Sequence, residues 1–334
     1  IQAMIPRGCE VIENTCGTAP GLLGDLGGTP AFFLPGVPSE MKKMYELAVE
    51  PRLRQRLSQA AAVGVICSRT LHAFGIGESS IAQRLGEMMA RGKNPVVNTT
   101  AAHGIISIRI NVRAENDSQA RRLIEPVEAE IRRRLGEYVY GTDEETMASV
   151  VGGLLRQRGQ KVALAESCTG GLAAKLLTDI PGSSDYFAYG WVVYGNLAKT
   201  QLLQVEPQVL ARYGAVSEPV AAELAQNARK ISGADYALGI TGIAGPGGGS
   251  DEKPVGLVYL GCAGPDGCRT VRERFPGDRA SVREWAVTRA LHLLRETLEA
   301  GEGAGETLEA GEGAGDTLAG AEDGGATSAG GGDA

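Results

Sequence analysis

The stretch KVALAESCTGGLAAKLL (161–177) restricts the fold more than any other segment of the chain. An apolar, strand-like run ends on a Ser-Cys pair, passes through Thr-Gly-Gly, and gives way to an apolar run with helical spacing. A strand that turns into a helix within a few small residues opens a βα unit, and such units build a sheet covered by helices. The neighbouring segments keep up the alternation. VGGLLRQRG (151–159) reads as a helix and YFAYGWVVY (186–194) as a strand. VSEPVAAELAQNARKISG (216–233) reads as a helix with a capping-type start and a glycine stop. DYALGIT (235–241) is a strand feeding the glycine-rich IAGPGGGSDEKP, and VGLVYLGCAG and CRTVRERF are alternating strands joined by PDG, a hairpin signal. GDRASVREWAVTRALHLLRETL (277–298) closes the series as a long helix with Asp278 as its N-cap. The expectation is an α/β domain over 143–299, with helices on a mixed sheet that includes an antiparallel hairpin.

The rest of the chain reads differently. Residues 63–142 hold a helix (SSIAQRLGEMMARG), an alternating strand (GIISIRINVRA) and a charged helix (DSQARRLIEPVEAEIRRRLG), a small α+β module. Residues 1–62 hold a strand-like TPAFFLPG and a helix, PSEMKKMYELAVEPRLRQRL, too few elements for a doubly wound domain. From residue 300 the chain repeats a decapeptide of Gly, Ala and Glu, which buries too little apolar surface to offset its ordering entropy. Residues 300–334 are therefore expected to be a disordered, solubilising acidic tail.

That tail also accounts for the charge. The formal net charge of −7 includes ten acidic and no basic residues after Arg295, so the remainder carries 30 acids against 33 bases. A body so nearly balanced has no strong electrostatic bias toward nucleic acid. The six cysteines lack CxxC spacing and imply neither a disulfide framework nor a zinc site. No apolar run reaches the ~18–20 residues of a membrane span, and the first residues show no charged-then-apolar signal pattern. The expected location is cytoplasmic.

Within the α/β domain, Ser167 ends a strand and precedes a helix whose start contains Thr169, Gly170 and Gly171. Unpaired N–H groups at such a start can hold an anion or a developing oxyanion. This is not the GxSxG elbow, because Glu166 stands beside the serine. A serine hydroxyl needs a proton acceptor, and none of the three histidines (His72, His103, His292) falls between 152 and 291. The remaining bases are Lys161, Lys175, Lys199, Lys230 and Lys253. Lys199 has the best pattern, since it follows an apolar strand and turn and can face the core; Lys175 fits a surface role. Cys168 is the rival nucleophile, a thiol at a helix start that reads equally well as a small buried hydrophobe. The loop GITGIAGPGGGSDEKPVG (239–256) could wrap a ligand phosphate or sugar through its N–H groups, or be a constrained loop without a ligand. Arg279 opens the last helix against its dipole, which a phosphate partner would rationalise and a surface position would equally allow.

Taken together, AESCTGG, YGNLAK (194–199), VSEPV, GITGIAGPGGGSDEKPVG and FPGDR resemble the C-terminal domain of the CinA (competence/damage-inducible) family, which also occurs alone as nicotinamide mononucleotide amidohydrolase. GTAPG (17–21) and LPGVPSEMKKM (34–44) resemble the end of that family's molybdopterin-binding-like domain, and the middle segment its KH-like module. The resemblance implies a Ser/Lys pair, with Ser167 as nucleophile and Lys199 as general base. Thr169, Gly170, Gly171, Tyr194, Thr241, Gly242 and Arg279 become the substrate-contact positions. It implies hydrolysis of a nicotinamide carboxamide to the carboxylate and ammonia on a small-molecule nucleotide, in a homodimer. No cofactor enters that scheme. A divalent metal is implied only for the first domain's ADP-ribose pyrophosphatase activity, if its site is intact; residues 1–62 match only the C-terminal part of that domain. The family name also implies a competence or recombination role with nucleic acid or recombination proteins as partners. Against it, GIGE (75–78) lacks the second glycine of a KH clamp, and Arg121, Arg122, Arg132, Arg133 and Arg134 interleave with acids.

Overall fold

The computed structural model describes residues 4–59 and 64–309. These divide into two compact units. The first holds the described residues up to Arg69 together with Gly86–Asn98 and Arg109–Arg133; the second holds Thr70–Leu85, Thr99–Ile108 and the described residues from Arg134 onward.

The chain begins with an antiparallel meander of β1 (Glu10–Ile12), β2 (Gly21–Leu26) and β3 (Thr29–Phe33), followed by α1 (Pro38–Met44), one π-turn, and α2 (Glu50–Gln59). Ile12, Met44 and Val49 form its small core. Then come β4 (Val65–Ala73), α3 (Glu78–Leu85), β5 (Val96–Ala102), β6 (Ile105–Ala114), α4 (Asp117–Leu135) and β7 (Val139–Thr142). Their sheet has the order β5-β6-β4-β7. Of its strands only β6 carries a clear period-2 signal in sequence; β4, β5 and β7 were not legible from patterning.

The remaining elements are α5 (Met147–Gln157), β8 (Val162–Glu166), α6 (Leu172–Thr178), β9 (Phe187–Val192), α7 (Asn196–Leu203), α8 (Pro207–Tyr213), α9 (Glu218–Ser232), β10 (Tyr236–Gly242), β11 (Leu257–Gly264), β12 (Gly267–Arg274) and α10 (Arg279–Glu309). The sheet order is β12-β11-β10-β8-β9. β8 lies parallel to both β9 and β10, while β11 and β12 run antiparallel, so the sheet is mixed as expected. Strand alternation divides two cores. Val162 and Leu164 join Val151, Leu155, Ala173, Leu177, Ala286 and Leu293 on the face covered by α5, α6 and α10. Ala163 and Ala165 face the opposite way, toward Leu203, Leu210, Val220 and Leu224 of α7, α8 and α9. Each fully buried aliphatic side chain contributes about 1.5–3 kcal/mol.

Small residues on the second face let α9 approach closely. A Cβ at Gly239 would meet the Ala221 carbonyl oxygen at 2.5 Å, and one at Gly261 would meet it at 2.4 Å.

Three expectations change. The helix after Ser167 starts at Leu172, so Thr169 and Gly170 precede it rather than form its start, because Gly170 and Gly171 take φ of +59° and +90° and hold the chain out of helical geometry. Ser217 does not cap α9 with its side chain; its hydroxyl donates back to Gly214 O at 2.8 Å. Helix α10 does not stop at 299 but continues to Glu309. The rest of the expected tail, 310–334, lies outside the described residues.

Candidate active site

Strands β9, β8 and β10 are parallel neighbours, so their carboxyl ends open at one edge of the sheet. The chain leaves β8 toward β9 and returns on β8's other side as β10, which makes this edge a topological switch point, where α/β folds place ligands. A cavity of about 260 Å³ lies there, lined by Ser167, Cys168, Tyr194, Lys199, Thr241 and Gly242 among others. An adjoining cavity of about 650 Å³ shares Ala244 and Arg279 with it.

Lys199 comes from α7, which buries it together with Leu203 one turn on, and only 1% of its surface is exposed. Its Nζ lies 3.0 Å from Ser167 Oγ, 2.7 Å from Val193 O and 3.1 Å from Tyr194 O. Burial lowers the lysine pKa, with the neighbouring Cys168 opposing the shift. A neutral amine has two N–H donors and one lone pair. The two carbonyls take both donors, which leaves the lone pair directed at the serine hydroxyl. In the ammonium state the third N–H points at the same oxygen. One geometry therefore serves proton acceptance and proton return.

Ser167 is fixed at the strand end by its N–H, which donates to Ile240 O at 2.9 Å. Cys168 also lines the cavity, but burial pushes its thiol pKa up to about 12, which disfavours the nucleophilic thiolate. The histidines sit elsewhere: His72 contacts Ser107 and Asp143 O, His103 pairs with Glu284, and His292 pairs with Glu296. Lys175 is a surface residue paired with Asp179.

Thr169, Gly170 and Gly171 do not line this cavity, and the oxyanion role expected of their segment requires correction. The N–H of Gly170 donates to Ser167 O at 3.1 Å and that of Leu172 to Thr169 O at 3.2 Å. The N–H groups of Gly171, Ala173 and Ala174 all donate to the Glu166 carboxylate. Donors already committed to buried protein acceptors cannot turn to a substrate without breaking those bonds. Cys168 and Ala244 line the cavity beside Ser167.

Thr241 is buried, with its hydroxyl donating to Ala215 O at 2.7 Å, so it shapes the wall rather than presenting a free hydroxyl. Gly242 lines the cavity where any Cβ would meet Leu257 O at 2.8 Å. Arg279 is held by protein groups, Gly245 O at 2.8 Å and the Tyr194 hydroxyl at 2.9 Å. Asp278 caps α10 through the Ser281 N–H at 2.9 Å, and that bond lowers its pKa.

Three residues have roles that sequence reasoning did not assign. Lys253 anchors the glycine loop by donating to Tyr213 O and Val216 O at 2.6 and 2.8 Å. Glu166 accepts the N–H groups of Gly171, Ala173 and Ala174, and Arg283 donates to Thr169 O; an acid closing an otherwise apolar strand was the only available signal. Farther along α4, Arg132 and Arg133 pair with Glu128 and Glu130. A larger cavity, of about 850 Å³ between Phe74, Tyr138, Trp285 and His292, contains none of the residues around Ser167.

Comparison with known proteins bears on this arrangement. Residues 144–298 match the model of the CinA C-terminal domain, and residues 68–141 that of the damage-inducible protein CinA KH domain. A CinA-like protein of Parasynechococcus marenigrum (strain WH8102) is 46% identical over 303 residues, 90% of this chain and 71% of that protein. The chain belongs to the CinA family. A putative competence-damage inducible protein of Caldicellulosiruptor bescii is 44% identical over 89% of this chain and 71% of its own length. Among solved structures, the competence/damage inducible protein CihA from Agrobacterium tumefaciens is 41% identical, covering 46% of this chain and 93% of its own, with a TM-score of 0.45. The CinA superfamily protein KP700603 from Klebsiella pneumoniae is 36% identical over 46% of this chain and 96% of its own, with a TM-score of 0.45. In this CinA-family chain, no helix among the described residues is long and apolar enough to cross a membrane.

Proposed function

We propose that this CinA-family chain hydrolyses the carboxamide of nicotinamide mononucleotide to nicotinate mononucleotide and ammonia. The observation that carries the reading is a buried lysine with both amine N–H groups accepted by backbone carbonyls and its Nζ 3.0 Å from a serine oxygen. Neutral Lys199 takes the Ser167 proton as Oγ attacks the carboxamide carbon. Backbone N–H groups of the cavity wall, where Ala244, Gly245, Gly247 and Gly248 lie, stabilise the oxyanion. As the tetrahedral species collapses, the Lys199 ammonium returns the proton to the amide nitrogen, the C–N bond breaks and ammonia leaves. Water then attacks the resulting ester with Lys199 again as base, and the carboxylate product departs from a regenerated Ser167. Arg279 and the glycine loop hold the nucleotide's ribose and phosphate across the adjoining cavity.

The test is ammonia release from nicotinamide mononucleotide in excess chelator by the wild type and by Ser167→Ala, Cys168→Ala and Lys199→Met. Turnover by the wild type and Cys168→Ala alone supports the reading. Loss in Cys168→Ala with activity kept in Ser167→Ala would reassign the nucleophile. No turnover by folded wild type would reject the activity.

A further inference from the structure

We propose that Glu166 and Arg283 are positioning residues for the nucleophile, bracing the loop 167–170 from its two ends. The inference rests on the assignment of Ser167 as nucleophile. Glu166 is 1% exposed and sits on the α6 side of β8, one residue before the serine. Its Oε2 accepts the N–H groups of Gly171 at 3.0 Å and Ala173 at 3.1 Å, and its Oε1 accepts that of Ala174 at 2.8 Å. Helix α6 has no side-chain cap of its own, because Gly171 occupies the cap position with φ +90°. The carboxylate at the end of the strand supplies the cap across the loop. Residues 166 and 171 are thereby tied together with the serine between them. A carboxylate this deeply buried is costly unless it is fully hydrogen-bonded, and here three backbone donors satisfy it.

The second brace comes from α10. Arg283 Nε and Nη2 both donate to Thr169 O, at 3.2 and 2.7 Å. The peptide linking Thr169 to Gly170 is then fixed at both ends, its carbonyl by Arg283 and its N–H by Ser167 O at 3.1 Å. Neither Glu166 nor Arg283 lines the cavity around Ser167, although Arg283 lines the adjoining one. Their effect runs through the backbone: they hold the serine where its Oγ meets Lys199. Misplacing a reacting group by ~1 Å costs roughly 100-fold in rate.

A serine-directed fluorophosphonate tests this without the amide substrate. Ser167 Oγ bonds to phosphorus, the P–F bond breaks, fluoride leaves and the serine proton passes to Lys199. Labelling of the full chain is followed by intact mass, with Ser167→Ala as the control and thermal unfolding to verify folding. In Glu166→Gln an amide N–H₂ faces backbone N–H groups, and the labelling rate constant is expected to fall about 10- to 100-fold. Arg283→Lys, which keeps one donor, is expected to fall about three- to tenfold and Arg283→Met further. Every site should still label, and the pH at which the rate inflects, set by Lys199, should stay in place. A purely structural role gives a smaller labelled fraction at the wild-type rate, and that outcome, or wild-type rates in both Glu166→Gln and Arg283→Lys, overturns the proposal. If Glu166→Gln does not fold, the half-buried Arg283 variants decide alone. A folded wild type that resists labelling removes Ser167 as nucleophile and the brace with it, which is distinct from failure in the variants only.

Discussion

The Arg279 guanidinium donates to the Tyr194 hydroxyl at 2.9 Å and to Gly245 O at 2.8 Å, joining the start of α10, the exit of β9 and the glycine loop at the mouth of the site. Tyr194→Phe removes one acceptor worth about 1 kcal/mol. The expected outcome is a KM for the nucleotide raised roughly three- to tenfold with kcat nearly unchanged. Arg279→Met should raise KM further, and steady-state kinetics with mononucleotide and phosphate-free riboside would show the loss confined to the phosphorylated substrate.

The pH dependence follows from Lys199. Its pKa is lowered by burial, and only the deprotonated amine can accept the serine proton. Activity should therefore rise with pH as the ammonium loses its proton, with the inflection in kcat/KM below the ordinary lysine value. Lys199→Arg keeps the positive charge at every accessible pH and should lose about 1,000-fold or more. An unchanged profile in a folded Lys199→Arg protein would remove Lys199 as base.

Cys168 supplies a contrasting case. With its thiol pushed up to about 12, the thiolate fraction at pH 8 is about one in ten thousand. Iodoacetamide should leave activity intact over hours at that pH, as judged by mass and turnover together. Cys168→Ala should cost about 1 kcal/mol in urea unfolding and little in kcat.

Gly239→Ala places a methyl 2.5 Å from Ala221 O and 2.7 Å from Ala225 N, both backbone atoms of α9. The helix must move, at a cost of about 1–3 kcal/mol, and Thr241 two residues along β10 moves with it. Urea unfolding should show the lost stability, and activity should fall with it. Gly153→Ala, where a Cβ meets nothing within 4 Å, is the control expected to change neither.

What was legible in the sequence was whatever depends on local order. Buried β8 and β10, the alternating β12 joined to β11 by the PDG turn, and the amphipathic α9 announce themselves through spacing, whereas β11, expected to alternate, is buried almost throughout. The shortage of histidine narrowed the search for a base to lysine, and the apolar strand before Lys199 singled it out. The oxyanion assignment failed for a non-local reason. Whether the N–H groups after Ser167 are free depends on where the Glu166 side chain turns, and no residue spacing encodes that. Arg283 and Lys253 were hidden for the same reason, since their acceptors are carbonyls 114 and 37–40 positions away.

The acceptors that orient Lys199 are main-chain carbonyls of Val193 and Tyr194. Side-chain replacement at either position leaves its carbonyl in the chain, so point mutation has no direct handle on the lysine's orientation. A lineage could alter Tyr194, the cavity wall or the glycine loop to admit a different amide while the proton-transfer pair kept its alignment. Substrate preference and basic chemistry are thus inherited through separate parts of the chain, and the first can drift while the second stays fixed.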